Sequence, residues 1–244
     1  MDRSIYTAMA GAKALMQRQE SLTNNLANVS TNGFRADLAA FRAVPVRADG
    51  TATTRVSSIE ATTGFDATSG PMLQTGRDLD VAVAGQGWLA VQASNGEEGY
   101  TRQGSLTLSA EGTLMAANGL EVVGDGGAIS VPPGMNVSIG DDGTVSAHTP
   151  GQPPMAVGKL KLVNPPLESM KKGPDGLMRV ADGAATDDPA VRVVAGYLEG
   201  SNVNAVEAMV GMIAVSRQFE IQMKLLQTMD QNDQRATQLL SIRA

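Results

Sequence analysis

The chain has 244 residues, 42% of them hydrophobic, so it can bury a substantial core; its net charge of -6 excludes the basic field that draws nucleic acid. Cysteine is absent, which excludes disulfide scaffolds and thiolate chemistry. Aromatic residues make up only 3% while methionine numbers 13, so the core must be packed from Val, Leu, Ile, Ala and Met.

The opening residues, Met1 to Ala10, lack a continuous apolar run followed by a small-residue cleavage site, and no segment approaches membrane-spanning length. Export by a cleaved signal peptide and membrane insertion are therefore both unexpected. No proline interrupts Ser4 to Val29. A seam there runs Ile5, Ala8, Ala12, Leu15, Gln19, Leu22, Leu26, Val29 in alternating steps of three and four, broken once by Gln19. This predicts a helix roughly 40 Å long at 1.5 Å rise per residue. Gly33 supplies a stop, and Phe34 begins a different pattern.

Residues 35–76 shift to Thr, Ala, Ser and Gly with scattered Arg, and are predicted to be an extended connector with room for short strands. Residues 77–200 show short alternating runs, at Leu79-Val81-Val83, Leu89-Val91, Leu106-Leu108, Val137-Ile139, Leu160-Leu162 and Val191-Val193. Turn pairs separate them at Asn95-Gly96, Asn118-Gly119, Asp142-Gly143 and Asp175-Gly176, which predicts an antiparallel β-rich domain.

Residues 201–244 return to helical periodicity, with Ser201 or Asn202 available as cap and an apolar stripe at Met209, Met212, Phe219, Met223, Leu226 and Met229. Val206, Val210, Ile213 and Val215 fall largely off that stripe, so this helix carries a second apolar side and calls for more than one neighbour. Neither terminal helix (residues 1–34 and 201–244) has a helical partner beside it in sequence. Their seams must meet each other or a neighbouring subunit, or else lie on the faces of the β-rich domain as in an ordinary α+β protein.

Enzyme-like strings fail their context. Gly85-Gln86-Gly87-Trp88-Leu89-Ala90 has the spacing of a dinucleotide fingerprint, but the residues after it alternate as a strand and offer no helix N-terminus to a pyrophosphate. His148 is the single histidine, too few ligands for a zinc site of the His/Cys kind. Asp141-Asp142-Gly143-Thr144 lacks the alternating oxygen ligands and terminal Glu of a calcium loop and reads as a hairpin turn. The acid pairs Glu97-Glu98 and Asp187-Asp188 beside Gly or Pro read as solvated loops. No catalytic, cofactor-binding or metal site is expected, and no cofactor.

Thr23-Asn24-Asn25-Leu26-Ala27-Asn28-Val29-Ser30-Thr31-Asn32-Gly33-Phe34 closely resembles the N-terminal signature of bacterial flagellar rod and hook proteins. Leu198-Glu199-Gly200-Ser201-Asn202-Val203-Asn204, followed by Glu207, Met209, Met212-Ile213, Arg217-Gln218-Phe219-Glu220 and Lys224, is similar to the C-terminal signature of the same family. Between them, Thr75-Gly76-Arg77-Asp78-Leu79-Asp80-Val81-Ala82-Val83, then Gly87-Trp88, Tyr100-Thr101-Arg102 and Gly104 resemble its β domain.

The resemblance implies a non-enzymatic structural subunit of the flagellar basal-body rod, most like its proximal part, that transmits torque across the periplasm. It implies export without signal cleavage through the flagellar type III apparatus, and copies of itself and other proximal and distal rod proteins as neighbours. The alternatives are a distal-rod or hook-type axial protein, an extracellular adhesin, or a wall-degrading enzyme. The implied fold class is α+β, with long N- and C-terminal helices forming a coiled-coil-like assembly domain and a central antiparallel β-rich domain. The expected interface residues are Ile5, Leu15, Leu22, Asn24, Asn25, Leu26, Asn28, Gly33 and Phe34 at the first end. At the second they are Asn202, Val203, Met209, Met212, Ile213, Phe219, Met223 and Leu226.

Overall fold

A computed structural model describes residues 2–45, 56–149, 151–181 and 183–241. In chain order the elements begin with helix α1 (Asp2–Ala27) and strands β1 (Asp37–Pro45), β2 (Val56–Phe65), β3 (Met72–Gln74), β4 (Val81–Ala84) and β5 (Trp88–Gln92). They continue with β6 (Glu98–Thr101), β7 (Leu106–Leu108), β8 (Leu114–Ala116), β9 (Glu121–Gly124), β10 (Gly127–Ala128), β11 (Asn136–Ile139), β12 (Thr144–His148) and β13 (Met155–Lys159). They close with β14 (Leu162–Val163), β15 (Met170–Lys172), β16 (Met178–Val180), β17 (Arg192–Ala195), β18 (Tyr197–Glu199) and helix α2 (Ala205–Ser241).

The chain divides into two compact units. The first gathers Met1–Ala27, Asp37–Phe65 and Asn204–Ala244. In it α1 and α2 pack together, and α1 also packs on the antiparallel hairpin β1–β2. The helices run antiparallel, because Gln222, halfway along α2, donates to the carbonyl of Ala8 near the start of α1 at 2.9 Å, while the earlier Gly211 lies against Leu22 near the end of α1. Asn204 caps α2: its side-chain oxygen accepts the backbone N–H of Val206 at 3.0 Å and of Glu207 at 3.2 Å. Those are two of the donors a helix start leaves without intrahelical partners. The cap is therefore two residues beyond Asn202, and Ser201 instead accepts from the N–H of Val203.

In the second unit, Asn28–Ala36 with Asp66–Val203, the regular elements among the described residues are all strands apart from one short 3₁₀ turn at Leu167–Ser169. A nine-stranded sheet runs β15-β16-β6-β5-β9-β8-β7, with β10 beside β9 and β14 beside β5; a three-stranded sheet runs β11-β12-β13, and two pairs, β17-β4 and β18-β3, complete it. The turn pairs act as their chemistry dictates. Asn95-Gly96 joins β5 to β6, Asn118-Gly119 joins β8 to β9, Asp142-Gly143 joins β11 to β12 and Asp175-Gly176 joins β15 to β16. The core is the aliphatic one the composition calls for, centred on Leu89, Val91, Leu106, Leu114, Val122, Val145, Leu160 and Leu162. Each such side chain contributes about 1.5–3 kcal/mol by leaving water.

The expected fold class is corrected in its helical half. Among the described residues two helices stand against eighteen strands, and no coiled-coil-like assembly domain of helices alone is formed, since a β-hairpin is part of the helical unit. The α1 seam is not a row of buried knobs. Leu15, Leu22 and Leu26 are half-buried, Gln19 is exposed, and among the described side chains of α1 full burial is confined to Ala8, Ala12 and Asn25; the side chain of Ile5 lies outside the described residues. Helical periodicity reports that one side of a helix avoids water but not what covers it, and here β1 and β2 share that task with α2. The central β-rich domain matches the expectation.

Candidate functional site

In the helical unit, α2 turns one face to α1 and the opposite face to solvent. Ala208 and Val215 are buried, whereas Val206 is 69% exposed, Val210 60% and Ile213 56%. Steps of four and three put these last three on one side of the helix. Val215, grouped with them by sequence, belongs instead to the packed side. Of the predicted stripe, Met212, Phe219, Leu226 and Met229 are half-buried while Met209 and Met223 are exposed, so it straddles the edge of the packed face. Ile221, Leu225, and Met9 and Met16 of α1 are exposed as well.

The asparagine string is divided between the units. The Asn25 amide works in both senses on one residue, its oxygen accepting the Asp37 N–H at 2.7 Å and its nitrogen donating to the Asp37 carbonyl at 3.0 Å. Asn24 donates to the Asp37 carboxylate, so the last turn of α1 is tied to the first residue of β1. Asn28, in the other unit, accepts from the Thr31 hydroxyl at 3.1 Å. Because Asn25 is buried, Asn25→Ala removes both of its hydrogen bonds to the Asp37 backbone and is expected to destabilise the helical unit by about 2 kcal/mol. Urea unfolding followed by circular dichroism at 222 nm checks this, and an unchanged midpoint would contradict the assignment.

In the β unit, three separate segments place ionised groups in the interior. Arg35 and Glu199 are each 1% exposed, and Arg102 is 4% exposed. Arg35 Nη2 donates to Glu199 Oε1 at 2.6 Å and Arg102 Nη1 to Glu199 Oε2 at 2.9 Å. Arg102 also donates to the carbonyls of Val83 at 3.2 Å and Gly85 at 2.6 Å. The two guanidinium carbons lie 5.8 and 5.4 Å from the ring centre of Trp88, a cation–π arrangement on a buried indole. Burial pulls Arg102 below its ordinary arginine value, the nearby charge of Arg35 adds to this, and Glu199 opposes it. Arginine nevertheless remains protonated at neutral pH.

The signature residues of both chain ends meet around this cluster. Gly33 sits at φ 71°, donates to the Glu199 carbonyl at 2.7 Å, and runs so close to residue 102 that a Cβ would come within 2.3 Å of the Arg102 carbonyl carbon. Only glycine fits there. It lies well past the end of α1 at Ala27, so its role is close backbone approach and not helix termination. Lys172 Nζ stands 3.9 Å over the Phe34 ring and donates to the Arg35 carbonyl at 2.9 Å. The Asn202 amide accepts from the Ala36 N–H at 2.8 Å and donates to the carbonyls of Asp66 at 3.1 Å and Thr68 at 3.0 Å.

The predicted residues thus fall into two groups. Leu15, Leu22, Asn24, Asn25, Leu26, Met209, Met212, Ile213, Phe219, Met223 and Leu226 are in the helical unit, and Asn28, Gly33, Phe34, Asn202 and Val203 are in the β unit. Sequence reasoning missed Arg35, Arg102 and Glu199, although each stands in or beside a quoted signature. Gly85-Gln86-Gly87 connects β4 to β5, strand to strand, and Gly85 supplies its carbonyl to Arg102, so the string is part of the ionic cluster.

Three family descriptions match successive parts of the chain: flagella basal body rod protein over residues 5–35, flagellar hook protein FlgE/F/G D1 domain over 82–147, and flagellar basal body rod FlgEFG protein C-terminal over 194–239. The flagellar basal-body rod protein FlgF of Salmonella typhimurium is 46% identical over 99% of this chain and 100% of its own length. That of Escherichia coli is 47% identical, also over 99% of this chain and 100% of its own length. The chain belongs to the FlgF family of flagellar basal-body rod proteins. A flagellar basal-body rod protein FlgG of Buchnera aphidicola is 33% identical over 97% of this chain and 99% of its own length. Membership in the FlgF family makes this chain a structural rod subunit of the flagellar basal body, working among other flagellar rod and axial proteins.

Proposed function

We propose that this rod subunit assembles with copies of itself and with other proximal and distal rod proteins through the outward faces of its terminal helices, and that it performs no catalysis. It reaches the rod unfolded through the flagellar type III apparatus, without signal cleavage, and bears torque across the periplasm. The observation that supports the reading is the row Val206, Val210, Ile213 on α2, exposed on the side opposite Ala208 and Val215. A row of three large aliphatic side chains in water loses the free energy that burial against a neighbour would recover, about 25 cal/mol per Å² of apolar surface. Contacts of this heterologous kind extend into an open helical assembly when the rotation between copies does not close a ring. Leu15, Leu22, Leu26, Met212, Phe219 and Leu226, all half-buried, have surface left for the same neighbours.

Since the chain has no cysteine, each single Cys substitution gives it one defined attachment point. Val206→Cys and Ile213→Cys, treated with a short bismaleimide in purified basal bodies from cells whose other axial proteins carry scattered Cys, are expected to give adducts with axial subunits. A control at the exposed Thr107 of β7 should give fewer adducts. Equal cross-linking at all three positions, or none at the helical pair, would overturn the reading.

A further inference from the structure

The chain passes between its two units at 27/28, 36/37, 65/66 and 203/204, so three short segments of the β unit, 28–36, 66–71 and 199–203, carry every crossing. Within the β unit these segments are stitched to one another and not only to the sheets. Gly33 N–H bonds the Glu199 carbonyl, Asp66 N–H the Ala36 carbonyl and Gly200 N–H the Pro71 carbonyl, at 2.7–2.8 Å. Asn202 bridges Ala36 to Asp66 and Thr68. One carboxylate stands at the centre. Glu199 Oε1 accepts from both Arg35 Nη2 and the Gly70 N–H, at 2.6 and 2.9 Å, while Oε2 accepts from Arg102, which in turn holds β4 at Val83 and the turn at Gly85.

We infer that Glu199 is a closing clamp: the single charge that lets the crossing segments dock, so that the β unit stays open along 28–36 and 66–71 until residue 199 is in place. The charge balance makes this step decisive. Two guanidinium groups share one carboxylate, and among the described residues Arg35 Nε, Arg35 Nη1 and Arg102 Nε make no hydrogen bond. With Glu199 absent, two unneutralised cations would be buried against Trp88, and such charges remain in water instead. Arg35 comes from the first segment of the unit and Glu199 from its last, so closure requires both ends of the β unit. A subunit that is threaded through an export channel from one end would on this basis leave its signature segments unpaired until most of its length had emerged.

The test needs only the purified full-length chain, so its outcome is independent of whether the rod contacts proposed above are right. Trp88 is the sole tryptophan and reports the cluster directly. Glu199→Gln keeps the shape and the acceptor for Gly70 but removes the charge, and it is expected to lower the folded-to-unfolded ratio roughly 100-fold or more. Acrylamide quenching of Trp88 should rise, and amides 33, 36, 66 and 70 should lose hydrogen-exchange protection together while those of β5 and β9 keep theirs. The triple variant Arg35→Met, Arg102→Met, Glu199→Leu removes all three charges and should recover at least tenfold of that loss. An E199Q chain that does not fold beside a triple variant that does has the same meaning. The inference fails if E199Q stays within tenfold of the parent, if the triple variant recovers nothing, or if amides 33 and 66 keep their protection in E199Q.

Discussion

Val210→Asp is expected to give a chain that folds and is secreted normally yet builds no rod, leaving cells non-motile. Val210 is 60% exposed in the single chain, and surface substitutions of that kind usually change stability by less than about 0.5 kcal/mol. At an axial interface the same side chain would be covered on its exposed side. An unpaired carboxylate there costs several kcal/mol, and the penalty recurs at each repeat of an assembly. Val210→Thr, similar in shape and uncharged, should retain partial motility. Swimming assays, blots of culture supernatant and thermal melts of the purified chain separate the cases. Normal swimming by Val210→Asp with an unchanged melt would remove α2 from the interface.

Gly104→Ala is expected to lower the stability of the β unit by about 3 kcal/mol or more, since over-packing against rigid backbone exceeds the ordinary 1–3 kcal/mol range. A Cβ at 104 would fall 1.6 Å from the Val81 carbonyl oxygen and 2.7 Å from its carbon. Neither atom can give way cheaply. Val81 opens β4 and its N–H bonds the Gly104 carbonyl at 2.9 Å, so relief would require separating β4 from the loop that holds Arg102. Urea denaturation monitored through Trp88 should show the midpoint falling with little change in slope. A shift under about 1 kcal/mol would show that this loop has slack the structure does not display.

Different features were legible to different degrees. The hairpins were readable because Asn-Gly and Asp-Gly pairs supply the positive φ that tight turns need, and Gly96, Gly119, Gly143 and Gly176 all adopt it. The hairpin β1–β2 was not, because its Thr, Ala and Ser residues keep no sustained alternation and its register slips between Ala39 and Phe41. Asn204 as the cap was not legible because Ser201 and Asn202 are equally good cap residues, and only the backbone path decides which one reaches the first free N–H groups. For Arg35, Arg102 and Glu199, nothing in their local sequence says that residues so far apart in the chain share one buried site.

By itself the sequence determined that this chain has helical ends and an aliphatic antiparallel middle, and that it belongs among flagellar rod proteins. Periodicity, turn chemistry and the signature strings are local properties that survive without a fold. Tertiary structure alone decided which face of α2 stays in water, that a hairpin shares the cover of α1, and that the two signatures close on one carboxylate. Those outcomes depend on which distant groups compete for the same burial, and burial is a property of the folded chain as a whole.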